Sequence, residues 1–213
     1  MKSRAVLAVA ALVVAATVTL VASFGGSAAS SRQTGKVTVQ EDLWLELVGQ
    51  FQNSPAGVTP VTHIHYGYLS YVRGTVAFRV GPRGEATALF TFFADGATSP
   101  VISNGPFRTI NRVGTITVYR DPTTNGDFAN PDTFRDGTPV LVLRYRQHVI
   151  QNTVTGSITT FHQDTITSTK AFDTQRGQVQ LGKVGERVDE YYNGQNNMPG
   201  PPSGYFVGYA VSR

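Results

Sequence analysis

The sequence predicts an all-β fold: a single antiparallel barrel of about eight strands, with a β-sandwich as the alternative. Three observations predict it. Beyond Pro60, segments rich in Val, Ile, Thr, Tyr and Phe alternate with Gly, Pro, Asn and Asp punctuation. No long amphipathic helix separates these segments, so parallel βαβ units are not expected. Several segments run to 9–14 residues, longer than the usual sandwich strand and suited to the tilt of a barrel. A sheet of that size must hide its edges, by closing on itself or by stacking, and strand length favours closure.

The elements follow in order. Residues 1–29 read as an export signal. Lys2 and Arg4 precede an apolar run from Ala5 to Ala22, broken only by Thr17 and Thr19, and Ser27-Ala28-Ala29 is a small-residue cleavage pattern. The expected outcome is cleavage after Ala29 and a secreted or extracytoplasmic domain with no stable membrane anchor; an uncleaved anchor is the alternative. Residues 30–36 form a flexible leader, and 37–213 the barrel domain. Between Val37 and Phe51, Val39, Leu43, Leu47 and Phe51 recur at helical spacing while Leu43, Leu45 and Leu47 alternate; the downstream pattern and Gly49 favour a strand. Strands are then expected at Thr62–Arg73, Thr75–Val80, Ala86–Ala94, Phe107–Arg120, Val140–Gln151, Ser157–Ser168, Gln178–Glu190 and Tyr205–Ser212. Pro82-Arg83-Gly84 and Asn152–Gly156 are read as hairpin turns. Residues 121–138 and 193–204 are read as polar loops, the latter carrying Pro199, Pro201 and Pro202. In strand number and length this outline resembles calycin-type and dirigent-type secreted barrels. The resemblance carries no motif and no site residue.

Charge and composition narrow the function. Loss of residues 1–29 leaves sixteen basic against fourteen acidic residues, a net +2. There is no Lys/Arg cluster to follow a phosphate backbone, so nucleic acid is not an expected partner. The chain has no cysteine, which excludes thiol nucleophiles and Cys-ligated zinc and leaves the fold to its core. Neither a G-x-S-x-G elbow nor an H-E-x-x-H motif occurs. Nothing implies a cofactor.

Four histidines supply the candidate chemistry. His63 and His65, in THIHYGYLSY, share a strand face and are the candidate metal pair. The glutamate that usually completes such a pair is missing, since Gly67, Tyr68, Leu69 and Ser70 follow, so the pair reads as solvent-facing. On the hairpin 140–168, an even sum of paired residue numbers would place His148, His162, Asp164 and Arg146 on one face as a candidate acid–base and oxyanion cluster; an odd sum would separate the histidines. The Asp- and Asn-rich segment 121–136 could bind calcium, but its composition is also that of ordinary turns. Tyr66 and Tyr68 share a face of their strand, as do Phe90 and Phe92 of theirs, and both pairs are candidates to line a barrel interior that holds a ligand. The expected function is non-catalytic binding of a small, largely apolar molecule. A barrel enzyme catalysing a cyclisation or isomerisation, and a pocketless structural module, are the alternatives.

Overall fold

The structure, a computed structural model, describes residues 38–175, 177–197 and 203–213; residues 1–29 and 30–36, expected to be an export signal and a leader, lie outside them. The strands, in chain order, are β1 (Thr38–Glu41), β2 (Trp44–Asn53), β3 (Thr62–Val72), β4 (Phe90–Thr98), β5 (Ile102–Asn104), β6 (Phe107–Arg120), β7 (Thr138–Asn152), β8 (Ser157–Thr169), β9 (Phe172–Thr174), β10 (Gly177–Leu181), β11 (Arg187–Asn196) and β12 (Ser203–Ser212). Eight of them, β2, β3, β4, β6, β7, β8, β11 and β12, form a closed up-and-down barrel. Each pairs antiparallel with the next, and β12 returns to pair with β2. Closure removes the exposed edges that so many long strands would otherwise present. The short β5 lies against the start of β6.

The alternation of these strands sorts side chains into an inner and an outer set. At one end the interior is apolar. Leu45, Leu47, Leu69, Val72, Phe90, Leu143 and Ile166 belong to one buried cluster, and each large side chain removed from water contributes about 1.5–3 kcal/mol. A small sheet of β1, β10 and β9, with β1 parallel to β10, adds Phe172, Val179 and Leu181 to the same cluster. The Phe172 ring meets Phe90 edge-on at 5.3 Å. Large rings are accommodated by glycines facing them: a Cβ on Gly49 would stand 2.6 Å from the Phe206 ring, and one on Gly96 would stand 2.2 Å from the Tyr145 hydroxyl. Through this half the barrel is filled.

Several segments differ from expectation. Thr75–Val80 is not a strand; Phe78 makes a single bridge to Ala88, and β4 starts only at Phe90 and runs on to Thr98. Gln178–Glu190 is two strands, β10 and β11, separated where Gly182 and Gly185 adopt positive φ. β11 and β12 reach to Asn196 and back to Ser203, so the ladder enters the tail expected to be irregular. Residues 121–138 form a connection carrying one turn of 3-10 helix at Pro131–Phe134, and it is not merely polar. Its Phe128 and Phe134 pack over Tyr66, Tyr68 and Phe93 on the outside of the barrel.

Candidate functional site

At the other end the interior turns polar. The inward positions of β3 bring in His63 and His65, those of β6 Arg112, those of β7 Tyr145 and Gln147, those of β8 His162 and Asp164, and those of β11 Glu190 and Tyr192. All of these are buried. Register explains the assembly. Arg112 pairs with Gln147, Gln147 with His162, and His162 with Glu190, so one row of inward side chains crosses four adjacent strands. Gly114 on β6, paired with Tyr145, and Gly96 next along on β4 leave the room that the tyrosine occupies.

The hydrogen bonds run along this row. Arg112 donates from one terminal nitrogen to Asn53 Oδ1 at 2.7 Å and from the other to Gln147 Oε1 at 3.3 Å. The latter nitrogen also lies 3.5 Å from His65 Nε2. The Gln147 amide nitrogen stands 2.8 Å from His162 Nε2. The opposite ring nitrogen, His162 Nδ1, faces Glu190 Oε2 at 3.4 Å and Asp164 Oδ1 at 3.6 Å. Tyr192 donates its hydroxyl proton to Glu190, and the Tyr145 hydroxyl lies 2.6 Å from His63 Nε2.

Removal from water dominates the electrostatics. Burial brings Arg112 down to about 10, which still leaves a cation at neutral pH. Burial, assisted by Arg112 and His162, lowers His63 to about 2; burial, then the neighbouring His63, Arg112 and His162, hold His65 well below its ordinary value. Burial lowers His162 to about 4, against the pull of Glu190. Asp164 and Glu190 are both pushed up, first by burial and, for Glu190, next by the neighbouring Asp164. Near neutral pH the belt therefore holds neutral imidazoles, two carboxyl groups that resist ionising, and one guanidinium. Among the described residues no carboxylate lies within ion-pairing distance of Arg112, and its Nε has no hydrogen-bond partner.

Above the belt the barrel opens into a pocket of about 480 Å³. Phe51, Ile110, Val149 and Ile158 make apolar walls; Val61 and Val101 reach in from the rim. Arg112 also lines it, one inward step below Ile110 on β6. The pocket thus has an apolar wall and a buried cation at its foot.

The residues singled out from sequence fall as follows. His63 and His65 point inward, 2% and 5% exposed, and not toward solvent, because Asn53 and Phe51 opposite them on β2 are also inward. Their Nε2 atoms are engaged with Tyr145 and Arg112, and a guanidinium 3.5 Å from His65 opposes a second cation there. The β7–β8 pairing is odd: His148 opposes Phe161 and Gln147 opposes His162. His148 and Arg146 consequently lie outside, His148 bonded to Asn111 at 2.9 Å, while His162 and Asp164 lie inside. The four-residue catalytic cluster does not assemble, and the cyclase version built on it is eliminated. Phe90 and Phe92 face inward but are packed in the apolar half. Tyr66 and Tyr68 face outward beneath Phe128 and Phe134, so the two aromatic pairs lie on opposite faces of the wall. The acidic segment 121–136 is built of turn contacts: Asp121 accepts from Thr123 N at 2.8 Å, Asp127 from Ala129 N at 2.9 Å, and Asp136 from Asn125 at 2.8 Å.

Sequence reading missed Arg112, Gln147, Glu190 and Tyr192. The signal was present. Arg112 shares its parity with Ile110, Ile116 and Val118, and Glu190 shares that of Val188, so each is an ionisable residue set among apolar residues of the same strand face. No protein-family model, no curated protein and no solved structure matches this chain.

Proposed function

We propose that this protein is an exported barrel that binds a small amphiphilic anion, with the acid group on Arg112 and the apolar body along the walls of the mouth. The observation that carries the reading is the guanidinium itself. It is only 7% exposed, keeps its charge, lacks a carboxylate partner among the described residues, and sits at the foot of an apolar pocket. A buried cation without an anion leaves solvation unrecovered, and a ligand carboxylate restores it through charge-assisted hydrogen bonds. The apolar walls supply the remaining affinity and select a chain or ring over a bare anion. Export is supported by the charged start, apolar run and small-residue cleavage pattern of residues 1–29.

The test is calorimetric titration of the mature protein with decanoate and with decanol. Decanoate binds saturably at one site per chain, and decanol binds at least ~10-fold more weakly. Arg112→Gln weakens decanoate by roughly 10–100-fold, the worth of a hydrogen-bonded charge, and leaves decanol unchanged. Equal affinity for the two compounds, or saturable binding of neither, overturns the reading.

A further inference from the structure

On β8, His162 and Asp164 are two residues apart and project to the same face; on β11, Glu190 stands directly opposite His162. One donor atom from each lies within 4.8 Å of the others. We propose that His162, Asp164 and Glu190 form a binding site for one divalent transition-metal ion of the zinc type, held inside the barrel by these two adjacent strands.

Three features of the geometry argue for an ion over a set of hydrogen bonds. The separations from His162 Nδ1, 3.4 Å to Glu190 and 3.6 Å to Asp164, are longer than hydrogen bonds, which fall at about 2.7–3.2 Å. They match the edges of a tetrahedron around zinc, about 3.3–3.6 Å when the metal–ligand bonds are about 2.0–2.2 Å. His162 Nδ1 is buried without any hydrogen-bond partner, and the Asp164 oxygens find none beyond the Glu190 carboxyl group, although the same region satisfies Gln147 and Tyr192. Leaving such atoms unmade costs about 1–3 kcal/mol each, and a shared ion would use His162 Nδ1 and one Asp164 oxygen.

Charge and surroundings agree. Two carboxylates balance a divalent cation, so the loaded site is neutral where two bare carboxylates would repel each other in a dry interior. Tyr192 orients Glu190 through its hydroxyl, and Gln147 holds the far side of the His162 ring, the kind of outer support that metal ligands use. With the ion on Nδ1, His162 carries its proton on Nε2 and the Gln147 amide presents its oxygen. That half-turn of the amide gives up the Gln147–Arg112 hydrogen bond. Three protein donors leave the fourth tetrahedral position to water.

The experiment strips the mature protein with a chelator, dialyses it, and titrates it with zinc chloride and separately with cobalt chloride at pH 7.5. One zinc ion per chain is taken up saturably, the unfolding temperature rises with zinc, and cobalt develops the intense visible bands of tetrahedral coordination. Asp164→Asn and Glu190→Gln, which keep shape, each weaken uptake at least ~100-fold; His63→Gln retains it. Absence of stoichiometric uptake by the wild-type chain, weak octahedral-type cobalt bands, uptake that survives both carboxylate substitutions, or loss of uptake in His63→Gln overturns the proposal. The wild-type stoichiometry and cobalt spectrum decide the matter even if a substituted chain fails to fold.

Discussion

A guanidinium, three imidazoles and two carboxyl groups share the interior of one barrel, and the protein holds them there mostly uncharged. His63 illustrates the consequence. Its pKa is lowered to about 2 in the fold, mainly by burial, against 6.5 for an unperturbed histidine. Below about pH 6.5 the unfolded chain binds a proton that the folded chain refuses, so stability falls as pH drops through this range. The facing groups are Arg112 on β6, Tyr145 on β7, His162 and Asp164 on β8, and Glu190 and Tyr192 on β11. The raised carboxyl groups act in the opposite direction, holding in the fold protons that the unfolded chain sheds above about pH 4. Comparison with His63→Gln isolates the histidine. Between pH 6 and 4.5 the wild type loses about 1.4 kcal/mol per pH unit more than the variant, read from urea unfolding at several pH values. Parallel pH profiles for the two chains would contradict the burial of His63. Gly96 gives a steric counterpart. An added methyl would meet the Tyr145 hydroxyl at 2.2 Å and the Val113 carbonyl at 2.5 Å, so Gly96→Ala destabilises by roughly 1–3 kcal/mol in the same assay.

At the scale of elements, the β7–β8 hairpin decides which side chains reach the site. Its connection is set by Asn152, whose Oδ1 accepts from Val154 N and Thr155 N, and by Gly156 at φ 75°, whose N–H bonds back to the Asn152 carbonyl. Residue numbers alone do not choose between an even and an odd sum, because the loop can close with one residue more or fewer. Both strands were legible; the register was not, and it separates His148 from His162. Gly156→Val forces a β-branched residue into the left-handed region and costs about 1–2 kcal/mol in urea unfolding. The connection 121–138 was misread for a different reason. Its Asp, Asn, Gly and Thr content hides Phe128 and Phe134, which bury the outer face of β3 and β4 and erase the alternation there: Tyr66 and Phe93 are buried on the outside, as His65 and Phe92 are within. Phe134, fully buried, is the anchor, and Phe134→Ala destabilises by roughly 3–5 kcal/mol by thermal or urea unfolding.

For the whole molecule, strand length was the informative quantity. Segments of 10–15 residues, such as β2, β6, β7 and β8, wind around a tilted barrel, and the all-β barrel read from them is the fold observed. The contents of the barrel were harder to read. Aromatic abundance suggested a hollow lined with rings, whereas Phe92 and Phe206 are locked against each other and against Gly49, and Phe90 against Phe172. The buried ionisable residues Arg112, His162, Asp164 and Glu190 divide the interior into a packed half and a mouth with a charged foot. Purely hydrophobic packing would have no use for that division; a ligand with a polar head and an apolar body does. The proposed export makes its own prediction: N-terminal sequencing of protein collected from outside the cytoplasm begins at Ser30, reading SSRQTGK.

The most direct measurement is a crystal structure of the mature protein grown with decanoate. The account predicts the carboxylate within about 3 Å of the Arg112 guanidinium, with the chain lying along Ile110, Val149 and Ile158. A mouth that stays free of ligand at saturating decanoate, or a carboxylate bound away from Arg112, would contradict it.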